Sequence, residues 1–476
     1  MVTTPIVVAP AIDFADVRAE FDLVDGFPSD ALDEARQAAD RYADVREDRT
    51  DLPLVTIDPP GSMDLDQALH LERTDDGFVL HYAIADVYAL VEPGGALDAE
   101  THRRGQTFYL PDGSVPLHPR EVSEGTASLL PDVVRPAALW RIETDHGGEP
   151  VAVSVRRALV RSVARMDYAG VQRDADADRL HPSVEALPDF GRLRAAAALA
   201  RGAIELRLPT QDVVPHGDGW RLQIEPRTEA DEWNSEISLL TGMCAAQMMI
   251  DAGVGLLRTL PAADPAAVDG LRRTARSLDV PWPPEMGVGS FLAGLDTQDP
   301  RTLVLMSEAP TLLRGASYAA FDGELPETIL HGAIGAPYAH VTAPYAHVTA
   351  PLRRLSDRYA TEVCLAVSSG LPVPEAVRAE LSAMPKIMSS TDSLAGKVNR
   401  ACIDLAEAVV LAPRVGETFE ATVLKEATDR HDAEVFVASE TVIGPCGGAP
   451  EEGSTVRVRL TLADPQARKI RFDHDR

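Results

Sequence analysis

The sequence predicts an α+β fold, with a large domain followed by a small OB-like β-barrel at the carboxyl end. Apolar runs with strand spacing occupy residues 54–163, and helical periodicity dominates residues 192–411. Strands followed by helices are typical of an α+β core. Past Pro413 five short strand candidates follow in about 60 residues, which is the spacing of a small barrel. The predicted units are therefore a lead-in segment (1–50), a main domain (51–412) and a barrel (413–476).

The individual elements follow from local patterns. In the lead-in segment, residues 29–42 are a short amphipathic helix candidate with Ser29 as its cap. Apolar runs separated by Pro- and Gly-containing turns predict the strands of the main domain: 54–57, 68–72, 78–86, 137–143 and 151–163. The 3.6-residue periodicity predicts its helices: 192–206, 232–257, 265–278, 352–367, and 374–411 with breaks.

The predicted barrel strands are 417–424, 433–438, 441–443, 455–462 and 469–472. OB-type barrels often bind oligonucleotides through aromatic platforms and basic grooves. This one offers only Phe419, Phe436 and Phe472 as aromatic residues and has no basic run. A structural barrel and a working RNA clamp are both compatible with that pattern.

Composition and charge exclude several classes of protein. The chain has 476 residues, 45% of them apolar and 25% charged, as in ordinary folded proteins. Acidic residues outnumber basic ones by 74 to 45, which gives a net charge of −29, so any site for a polyanion must be local. The four cysteines form no C-x-x-C pair, and no apolar run is long enough for a membrane span. We expect a cytoplasmic protein that does not bind membranes.

A tandem repeat interrupts the second half of the chain. The segment 337–343, Pro-Tyr-Ala-His-Val-Thr-Ala, is followed at once by an identical copy at 344–350. Seven residues are too few for a solenoid unit. A local duplication that lengthens one loop is the simplest interpretation, and the pattern leaves open which copy holds the original place.

Acidic residues concentrate in the segment 56–67. An apolar strand ends at Asp58, a Pro-Pro-Gly turn follows, and Asp64 and Asp66 come two residues apart. Carboxylates crowded together repel one another unless a cation lies among them, and oxygen ligands favour Mg²⁺ or Mn²⁺. Such ions could activate a water and stabilise the leaving oxygen of a phosphodiester. Taken alone, the D-x-D pair also fits a solvated acidic turn.

A second group of polar residues follows the repeat. Pro351 is placed to begin a helix whose first turn carries Arg353 and Arg354. A helix amino terminus with guanidinium groups is a good seat for a phosphate. The alternative is that these arginines pair with Asp357 and Glu362 on a solvated face. The sequence contains none of the motifs G-x-S-x-G, G-x-x-x-x-G-K-[ST] or H-E-x-x-H.

These motifs together resemble the ribonuclease II family of 3′→5′ exoribonucleases, which carries a large catalytic RNB domain. The family pattern runs T-I-D, S-x-x-D-x-D-D-A, A-I-A-D and Y-x-H-x-T-S-P-I-R-R-Y-x-D. The matching segments here are 56–58, 62–68, 83–86 and 345–357, and 123–137 also resembles the family's L-S-x-x-x-x-S-L…R-P-A segment. The resemblance covers roughly residues 50–410.

The resemblance implies a role for each matching residue. Asp58, Asp64 and Asp66 become metal ligands, with Asp66 the carboxylate on which cleavage depends most. Arg353 becomes the arginine that holds the phosphate near the cut, with Arg354 beside it as a further RNA contact. Tyr168 resembles the tyrosine that packs against a terminal base. Glu236 resembles a glutamate that positions the final nucleotides.

The sequence departs from the family pattern in three ways. Gln67 replaces the fourth aspartate, so it keeps an oxygen ligand for the metal but loses a charge. The helix around Cys402 reads Ala401-Cys402-Ile403-Asp404 and lacks the family's late glutamate. About 50 residues precede the catalytic region, so we expect no tandem cold-shock barrels, and substrate capture is assigned to the channel and the terminal barrel.

The resemblance thus predicts a hydrolase that degrades single-stranded RNA from its 3′ end to nucleoside 5′-monophosphates. The expected cofactor is Mg²⁺, with Mn²⁺ as the favoured substitute because of Gln67, and no nucleotide cofactor is expected. The competing hypothesis is an RNA-binding or regulatory protein that kept the RNB fold after its chemistry weakened. Retention of Asp58, Asp64, Asp66 and Arg353 favours the enzyme.

Overall fold

The computed structural model describes residues 12–204, 210–216, 219–225, 228–296, 299–334 and 344–475. The strands of the large domain are β1 (Glu47–Asp48), β2 (Leu54–Ile57), β3 (Gln67–Thr74), β4 (Gly77–Ala85), β5 (Phe108–Leu110), β6 (Gly113–Val115), β7 (Val134–Thr144), β8 (Pro150–Met166), β9 (Thr210–His216), β10 (Gly219–Glu225), β11 (Val254–Thr259) and β12 (Ser317–Asp322). The pairs β5–β6, β9–β10 and β11–β12 form small antiparallel sheets.

The central sheet has the strand order β1-β8-β2-β3-β4-β7, and an additional β7–β8 pairing joins its two sides. Strand β8 is 17 residues long. Its first part pairs with β7, and its last part runs parallel to β2, with Ile57 opposite Met166. Strand β3 begins at Gln67, opposite Ile84 near the end of β4. The end of β2, the start of β3 and the end of β8 therefore lie at one edge of the sheet.

The helices described are α1 (Ala15–Glu20), α2 (Ser29–Gln37), α3 (Ala96–Arg104), α4 (Tyr168–Asp176), α5 (Leu187–Ala200), α6 (Glu229–Ala252), α7 (Pro265–Ser277), α8 (Val288–Ala293), α9 (Pro300–Glu308), α10 (Leu355–Ser368), α11 (Glu375–Leu381) and α12 (Met384–Leu411). Helix α6 begins with a capping box between Thr228 and Asp231, and it ends at Gly253, whose φ of 71° is left-handed. None of the helices in the described ranges combines the length and hydropathy that a membrane span requires.

The largest hydrophobic core lies between the central sheet and the helices α6 and α10. Trp140 and Leu80 from the sheet pack in one cluster with Leu240 of α6 and Val363 of α10. Eight of the nine residues of β4 are buried, because elements cover both faces of that strand. This explains why residues 78–85 read as a nearly continuous apolar run instead of an alternating one.

The carboxyl-terminal strands are β13 (Thr418–Lys425), β14 (Ala433–Val437), β15 (Val442–Gly447), β16 (Thr455–Asp464) and β17 (Lys469–His474). They close into a barrel in the order β13-β14-β15-β17-β16, so the predicted α+β fold with a small OB-like barrel is confirmed. Ala408 and Leu411 of α12 belong to the barrel's own hydrophobic cluster. Leu424 and Phe436 pack instead with apolar residues of α7 to α9. The barrel is therefore packed against helices on two sides.

Two expectations about helix starts are wrong. Ser29 is the first residue of α2 and makes no side-chain cap, because Pro28 holds the capping position. The helix that was expected to begin at Pro351 is α10, and it begins only at Leu355. Arg354 has an extended backbone with φ −135° and ψ 125°. Arg354 instead forms an isolated antiparallel bridge with Gln106. The two arginines therefore precede the helix and do not belong to its first turn.

The predicted helix over residues 232–257 is wrong past Ala252. Gly253 ends α6, and residues 254–259 form β11, paired with β12. A run such as Val-Gly-Leu-Leu has no decisive period, so only the pairing with β12, about 60 residues further along the chain, selects a strand. The predicted segment 374–411 is two helices, α11 and α12, in keeping with the expected breaks.

Candidate active site

The acidic loop 58–66 lies at the sheet edge where β2 ends and β3 begins. The Asp58 N–H donates to the carbonyl of Met166, 3.1 Å away, which fixes the start of the loop on β8. Ser128 holds the other end. Its hydroxyl accepts from the Leu65 N–H at 3.0 Å and donates to the carbonyl of Met63 at 2.6 Å. The segment 123–137, which carries part of the family resemblance, thus supports the acidic loop directly.

Asp66 is the most deeply buried of the three aspartates, with 5% of its surface exposed. One carboxylate oxygen accepts from the Leu352 N–H at 2.7 Å, and the other lies 3.6 Å from Nε of Arg353. Desolvation raises the pKa of Asp66 to about 8, although the Arg353 charge opposes that shift. The Asp66 carboxyl group is therefore partly protonated at neutral pH, and it needs a further positive charge nearby to ionise fully.

Asp58 has an unsatisfied oxygen. Its Oδ2 is buried and has no hydrogen-bond partner. Desolvation raises the pKa of Asp58 to about 6; the charges of Arg353 and Arg165 lower it, and that of Asp64 raises it. A buried carboxylate oxygen without a donor is costly, so this atom is a good candidate for binding a cation.

Asp64 is half-buried and lies close enough to Tyr109 of β5 to affect the pKa of that phenol. Desolvation, with a smaller contribution from Asp64, raises the pKa of Tyr109 above its ordinary value. Sequence reasoning did not find Tyr109. It lies 45 residues past Asp64 in a short strand whose pairing with β6 carries no functional signal.

The three aspartates suit a hard divalent cation in their chemistry. They are oxygen ligands, two of them have raised pKa values, and one has an orphaned buried oxygen. As they stand, no three His, Cys, Asp or Glu side chains in the described ranges are gathered closely enough to enclose one ion. We therefore treat the group as residues that could hold a metal, and their assignment as ligands stays a prediction.

Gln67 makes hydrogen bonds with three parts of the molecule. Its Nε2 donates to the carbonyl of Thr349 at 2.8 Å, and its Oε1 accepts from the phenol of Tyr82. The hydroxyl of Ser238 on α6 lies 2.9 Å from that phenol. The side-chain amide of Gln67 thus ties β3 to β4, to α6 and to the second copy of the repeat. The Ser238 hydroxyl also donates to Oε1 at 3.5 Å, so both lone pairs of that oxygen already accept hydrogen bonds, and the predicted metal contact of Gln67 would have to displace one of the two donors.

Arg353 and Arg354 differ in their surroundings. The guanidinium of Arg354 forms two bonds to Asp357, at 2.7 and 2.9 Å, and Asp357 is fully buried. Arg353 has 45% of its side chain exposed, and Asp66 is the carboxylate with which it pairs. Arg353 is therefore the arginine with donors available for a phosphate. Arg354 is already paired with Asp357, one of the two partners foreseen, whereas Glu362 pairs with Arg157.

A cavity of about 700 Å³ adjoins this group on the side of α6. The predicted RNA contacts Tyr168, Glu236, Arg353 and Arg354 all line it, and so does Gln67. Tyr168 opens α4, directly after β8, and Asn234 of α6 approaches its hydroxyl at 3.5 Å. Asp58, Asp64 and Asp66 are not among the lining residues. Arg353 lines the cavity and also pairs with the Asp66 carboxylate, so it links the acidic loop to the cavity.

Part of the cavity wall consists of the rings of His331, Tyr345 and His347. Tyr345 and His347 belong to the motif 345–357, but the sequence assigned no role to any of the three rings. Tyr345 packs edge-on against His331 and His347, and the phenol of Tyr318 lies 2.7 Å from Nδ1 of His347. Arg258 lies over the Tyr318 ring and pairs with Asp392 at 3.0 Å. Arg258, Tyr318 and Asp392 belong to β11, β12 and α12, and His331 lies in the segment after β12. No local pattern connects these four residues with Tyr345 and His347.

The second copy of the repeat supplies this wall. Tyr345 and His347 face the cavity, and the carbonyl of Thr349 binds Gln67. Tyr345 lies against Gly242 of α6, where a Cβ atom would come within 2.1 Å of the ring. The first copy, 337–343, falls outside the described residues.

Comparison with known proteins identifies the two domains. The model of a family described as the RNB domain matches residues 46–368. The chain belongs to the RNB domain family. A second family, the RNase II-type exonuclease C-terminal S1 domain, matches residues 417–474, which comprise the closed barrel. The resemblance to the ribonuclease II family is confirmed.

Relatives of this RNB-domain protein are named as ribonucleases or exonucleases. The chain is 33% identical over 210 residues to Ribonuclease R of Acidithiobacillus ferrooxidans, covering 41% of this chain and 48% of the relative. It is 30% identical over 243 residues to the human Exosome complex exonuclease RRP44, covering 49% of this chain and 25% of the relative. The matched regions thus span about half or less of these relatives.

Solved structures share the fold at low sequence identity. The apo form of Mycoplasma genitalium RNase R matches with a TM-score of 0.85 and 18% identity, covering 97% of this chain and 77% of that one. Yeast Ssd1, described as a pseudonuclease, matches with a TM-score of 0.66 and 15% identity, covering 87% and 52%. The RNB fold therefore occurs with and without nuclease activity, and the fold alone does not decide between them.

Proposed function

We propose that this protein is a metal-dependent 3′→5′ exoribonuclease that hydrolyses single-stranded RNA to nucleoside 5′-monophosphates. The observation that carries the proposal is the position of Arg353, which pairs with the buried Asp66 of the acidic loop and also lines a cavity of about 700 Å³. The cavity receives the 3′ end of the strand. The phosphate to be cleaved lies at Arg353, within reach of the acidic loop.

Each residue has a chemical task in this proposal. Arg353 binds the phosphate through guanidinium hydrogen bonds, since 45% of its side chain is exposed and its ion pair with Asp66 is long, at 3.6 Å through Nε. Tyr168 offers a ring face to a base, and Glu236 contacts the final nucleotides. A Mg²⁺ or Mn²⁺ ion held by Asp58, Asp64 and Asp66 would supply an activated water and neutralise charge on the leaving oxygen. Hydrolysis then leaves a 5′-phosphate on the released nucleotide and a 3′-hydroxyl on the shortened strand.

The second candidate is an RNA-binding protein with weakened chemistry. Gln67 favours it, because a neutral amide stands where the family has a fourth aspartate and is engaged by Tyr82 and Thr349. The intact set of Asp58, Asp64, Asp66 and Arg353 favours the enzyme. A cytoplasmic location and the domain limits 51–412 and 413–476 remain predictions.

An assay on a 5′-labelled oligoribonucleotide separates the two candidates. With Mg²⁺ or Mn²⁺ we expect stepwise shortening from the 3′ end by the native protein. Asp66→Asn should lower the rate about a hundredfold or more while RNA binding persists, because the amide still accepts from the Leu352 N–H but carries no charge. Asp76→Asn, in an exposed turn, is the matched control. Binding without any shortening by the native protein would support the second candidate.

A further inference from the structure

His118 is a fully buried histidine that lies outside every segment on which the family resemblance rests. It follows β6, three residues past the end of that strand. Its Nδ1 lies 3.0 Å from the carbonyl oxygen of Leu352. Because a carbonyl oxygen can only accept, Nδ1 carries the proton. His118 therefore donates a hydrogen bond to the turn that precedes α10.

Leu352 stands between two residues of the proposed catalytic group. Its N–H donates to the carboxylate of Asp66 at 2.7 Å. Its carbonyl belongs to the peptide unit whose nitrogen is that of Arg353, and the Arg353 N–H donates to the carbonyl of Ala350 at 3.2 Å. A hydrogen bond to the Leu352 carbonyl therefore orients the residue that holds Asp66 and also the peptide from which Arg353 extends.

The segment that carries His118 is connected to the same turn by a second route. The N–H of Leu117 donates to the hydroxyl oxygen of Thr107 at 3.0 Å, and the N–H of Thr107 donates to the carbonyl of Arg353 at 3.0 Å. Two consecutive carbonyls, those of Leu352 and Arg353, thus accept hydrogen bonds from residues that are linked to each other. The turn cannot shift without breaking at least one of these bonds.

The second nitrogen of His118 shows that the imidazole does more than fill space. Within the described ranges, Nε2 is buried and has no hydrogen-bond partner. Desolvation, together with the charge of Arg358, lowers the pKa of His118 to about 3, so the ring is neutral near pH 7 and has one proton to donate. An apolar side chain of similar size would fill the site without burying an unpaired nitrogen. What the imidazole adds is the hydrogen bond to Leu352.

We propose that His118 is a positioning residue for RNA hydrolysis, and that its Nδ1–H holds the Leu352 peptide so that Asp66 and Arg353 keep their relative places. His118 acts through Leu352 and touches neither the carboxylate nor the strand. The inference rests on the proposed function for the reaction in which this positioning is used, and it assigns a residue that the resemblance does not supply.

Two substitutions at His118 separate the hydrogen bond from the volume of the ring. His118→Leu fills the site but removes the donor, whereas the shorter amide of His118→Asn places a donor near the position of Nδ1. With a labelled oligoribonucleotide and Mg²⁺ or Mn²⁺, we expect His118→Leu to lower kcat about ten- to hundredfold and to change KM less than about threefold, because a small misplacement of reacting groups affects the chemical step more than binding. His118→Asn should recover most of the rate.

His81→Leu is the matched control, because His81 is a buried histidine whose Nδ1 is also unpaired, and it lies on β4 opposite His70. It should keep the native kcat. If thermal unfolding shows that His118→Leu does not fold, His118→Gln takes its place, since the longer amide lies near the position of Nε2 and should not restore the rate. A native rate in His118→Leu would overturn the proposal, and so would a His118→Asn protein no faster than His118→Leu.

Hydrogen exchange at the Leu352 amide tests the same contact without requiring activity. Measured by NMR in EDTA, exchange should be about tenfold faster in His118→Leu than in the native protein, because a turn released from His118 lets the Leu352 N–H leave Asp66 more often. His118→Asn and His81→Leu should exchange at the native rate. Unchanged exchange in His118→Leu would overturn the proposal. Failure of the proposed function would show instead as missing cleavage by the native protein, and this exchange measurement does not depend on cleavage.

Discussion

At the scale of single residues, aspartates of the same chemistry have different pKa values because their burial and their partners differ. Asp66 and Asp58 lie in surroundings that raise their pKa values, whereas Asp98 has its pKa lowered by the hydrogen bond from His102 and by the charge of Arg358, against its own desolvation. The sequence could identify the acidic loop, because its motif spacing is local. It could not show that Gln67 is engaged by Tyr82 and Thr349, since those partners lie 15 and 282 residues away.

The first residue-scale prediction concerns Gln67. Replacing Gln67 by Asp adds a carboxylate next to Asp66, which should lower the Mg²⁺ concentration needed for half-maximal rate several-fold, because hard cations prefer charged oxygen ligands. The native protein should respond more strongly to Mn²⁺ than to Mg²⁺. Titrating each metal against initial rate measures both effects. Coincident Mg²⁺ curves for the two proteins would show that position 67 does not act on the metal.

The second concerns pH. The folded-state pKa of Asp66 is about 8 and that of Asp58 about 6, against an ordinary 3.8, so the folded protein binds protons that the unfolded chain releases. Their contribution to the free energy of unfolding therefore falls as pH rises from about 4 to about 8. Melting in EDTA should show a decline between pH 6 and 8 that is smaller in Asp66→Asn. Added Mg²⁺ should raise the melting temperature more at pH 8 than at pH 6.

At the scale of elements, the sequence predicted the strands and helices that have a clear local pattern of apolar residues. It missed the segments whose conformation depends on pairing with a distant part of the chain. Strand β2 was predicted at its observed bounds, since its four residues are all buried and apolar or β-branched. Strand β11 was assigned to a helix because its partner β12 is distant in sequence. Arg353 and Arg354 were placed inside a helix, whereas the bridge to Gln106 keeps that backbone extended.

The element-scale prediction concerns Gly242 in the middle of α6. Alanine has the higher helix propensity by about 1 kcal/mol, so on propensity alone Gly242→Ala would stabilise the protein. Here a Cβ atom would meet the ring of Tyr345 at 2.1 Å and the carbonyl of Ala346 at 2.6 Å. We expect destabilisation by about 1–3 kcal/mol from overpacking, together with weaker RNA binding.

Urea unfolding measures the change at Gly242. Gly396 of α12 is a suitable control, because a Cβ atom added there would meet nothing outside its own helix within 4 Å, and alanine should be neutral or stabilising. Equal effects of the two substitutions would mean that the second repeat is not seated on α6.

At the scale of the whole molecule, opposite charges are paired locally while the net charge stays at −29. In the barrel, Lys425 pairs with Glu434, Arg459 pairs with Asp475 at 3.1 Å, and Arg471 pairs with Asp432. Those cations are therefore compensated within the barrel itself. The barrel matches the S1 domain model, but the carboxylates paired with these three cations reduce the positive charge that they can offer to a phosphate backbone.

The corresponding prediction concerns salt. Each neutralised phosphate contributes about −0.7 to the slope of log affinity against log salt for single strands. With few unpaired arginines near the cavity, we expect a shallow slope that corresponds to about two to four contacts. Arg353→Ala should reduce it by roughly one contact. Anisotropy titrations over a range of KCl concentrations measure both slopes, and a value near ten contacts would reveal an extended basic surface.

Residues 105–107 and 353–355 form a short antiparallel ladder beside the site. This ladder has a consequence for the number of nucleotides that are removed in each cleavage step. The Thr107 N–H donates to the carbonyl of Arg353 and the Leu355 N–H to the carbonyl of Gly105, both at 3.0 Å, and Gln106 forms a bridge with Arg354. These contacts fix the backbone position of Arg353. The cavity of about 700 Å³ is lined by the rings of Tyr345 and His347, which pack against each other, and Tyr345 also packs against Gly242 of α6. The distance from the phosphate proposed to lie at Arg353 to the rings of Tyr345 and His347 is therefore fixed by the fold. We expect the number of nucleotides released per cut to be the same for every base sequence, because a rigid spacing counts backbone units and not bases.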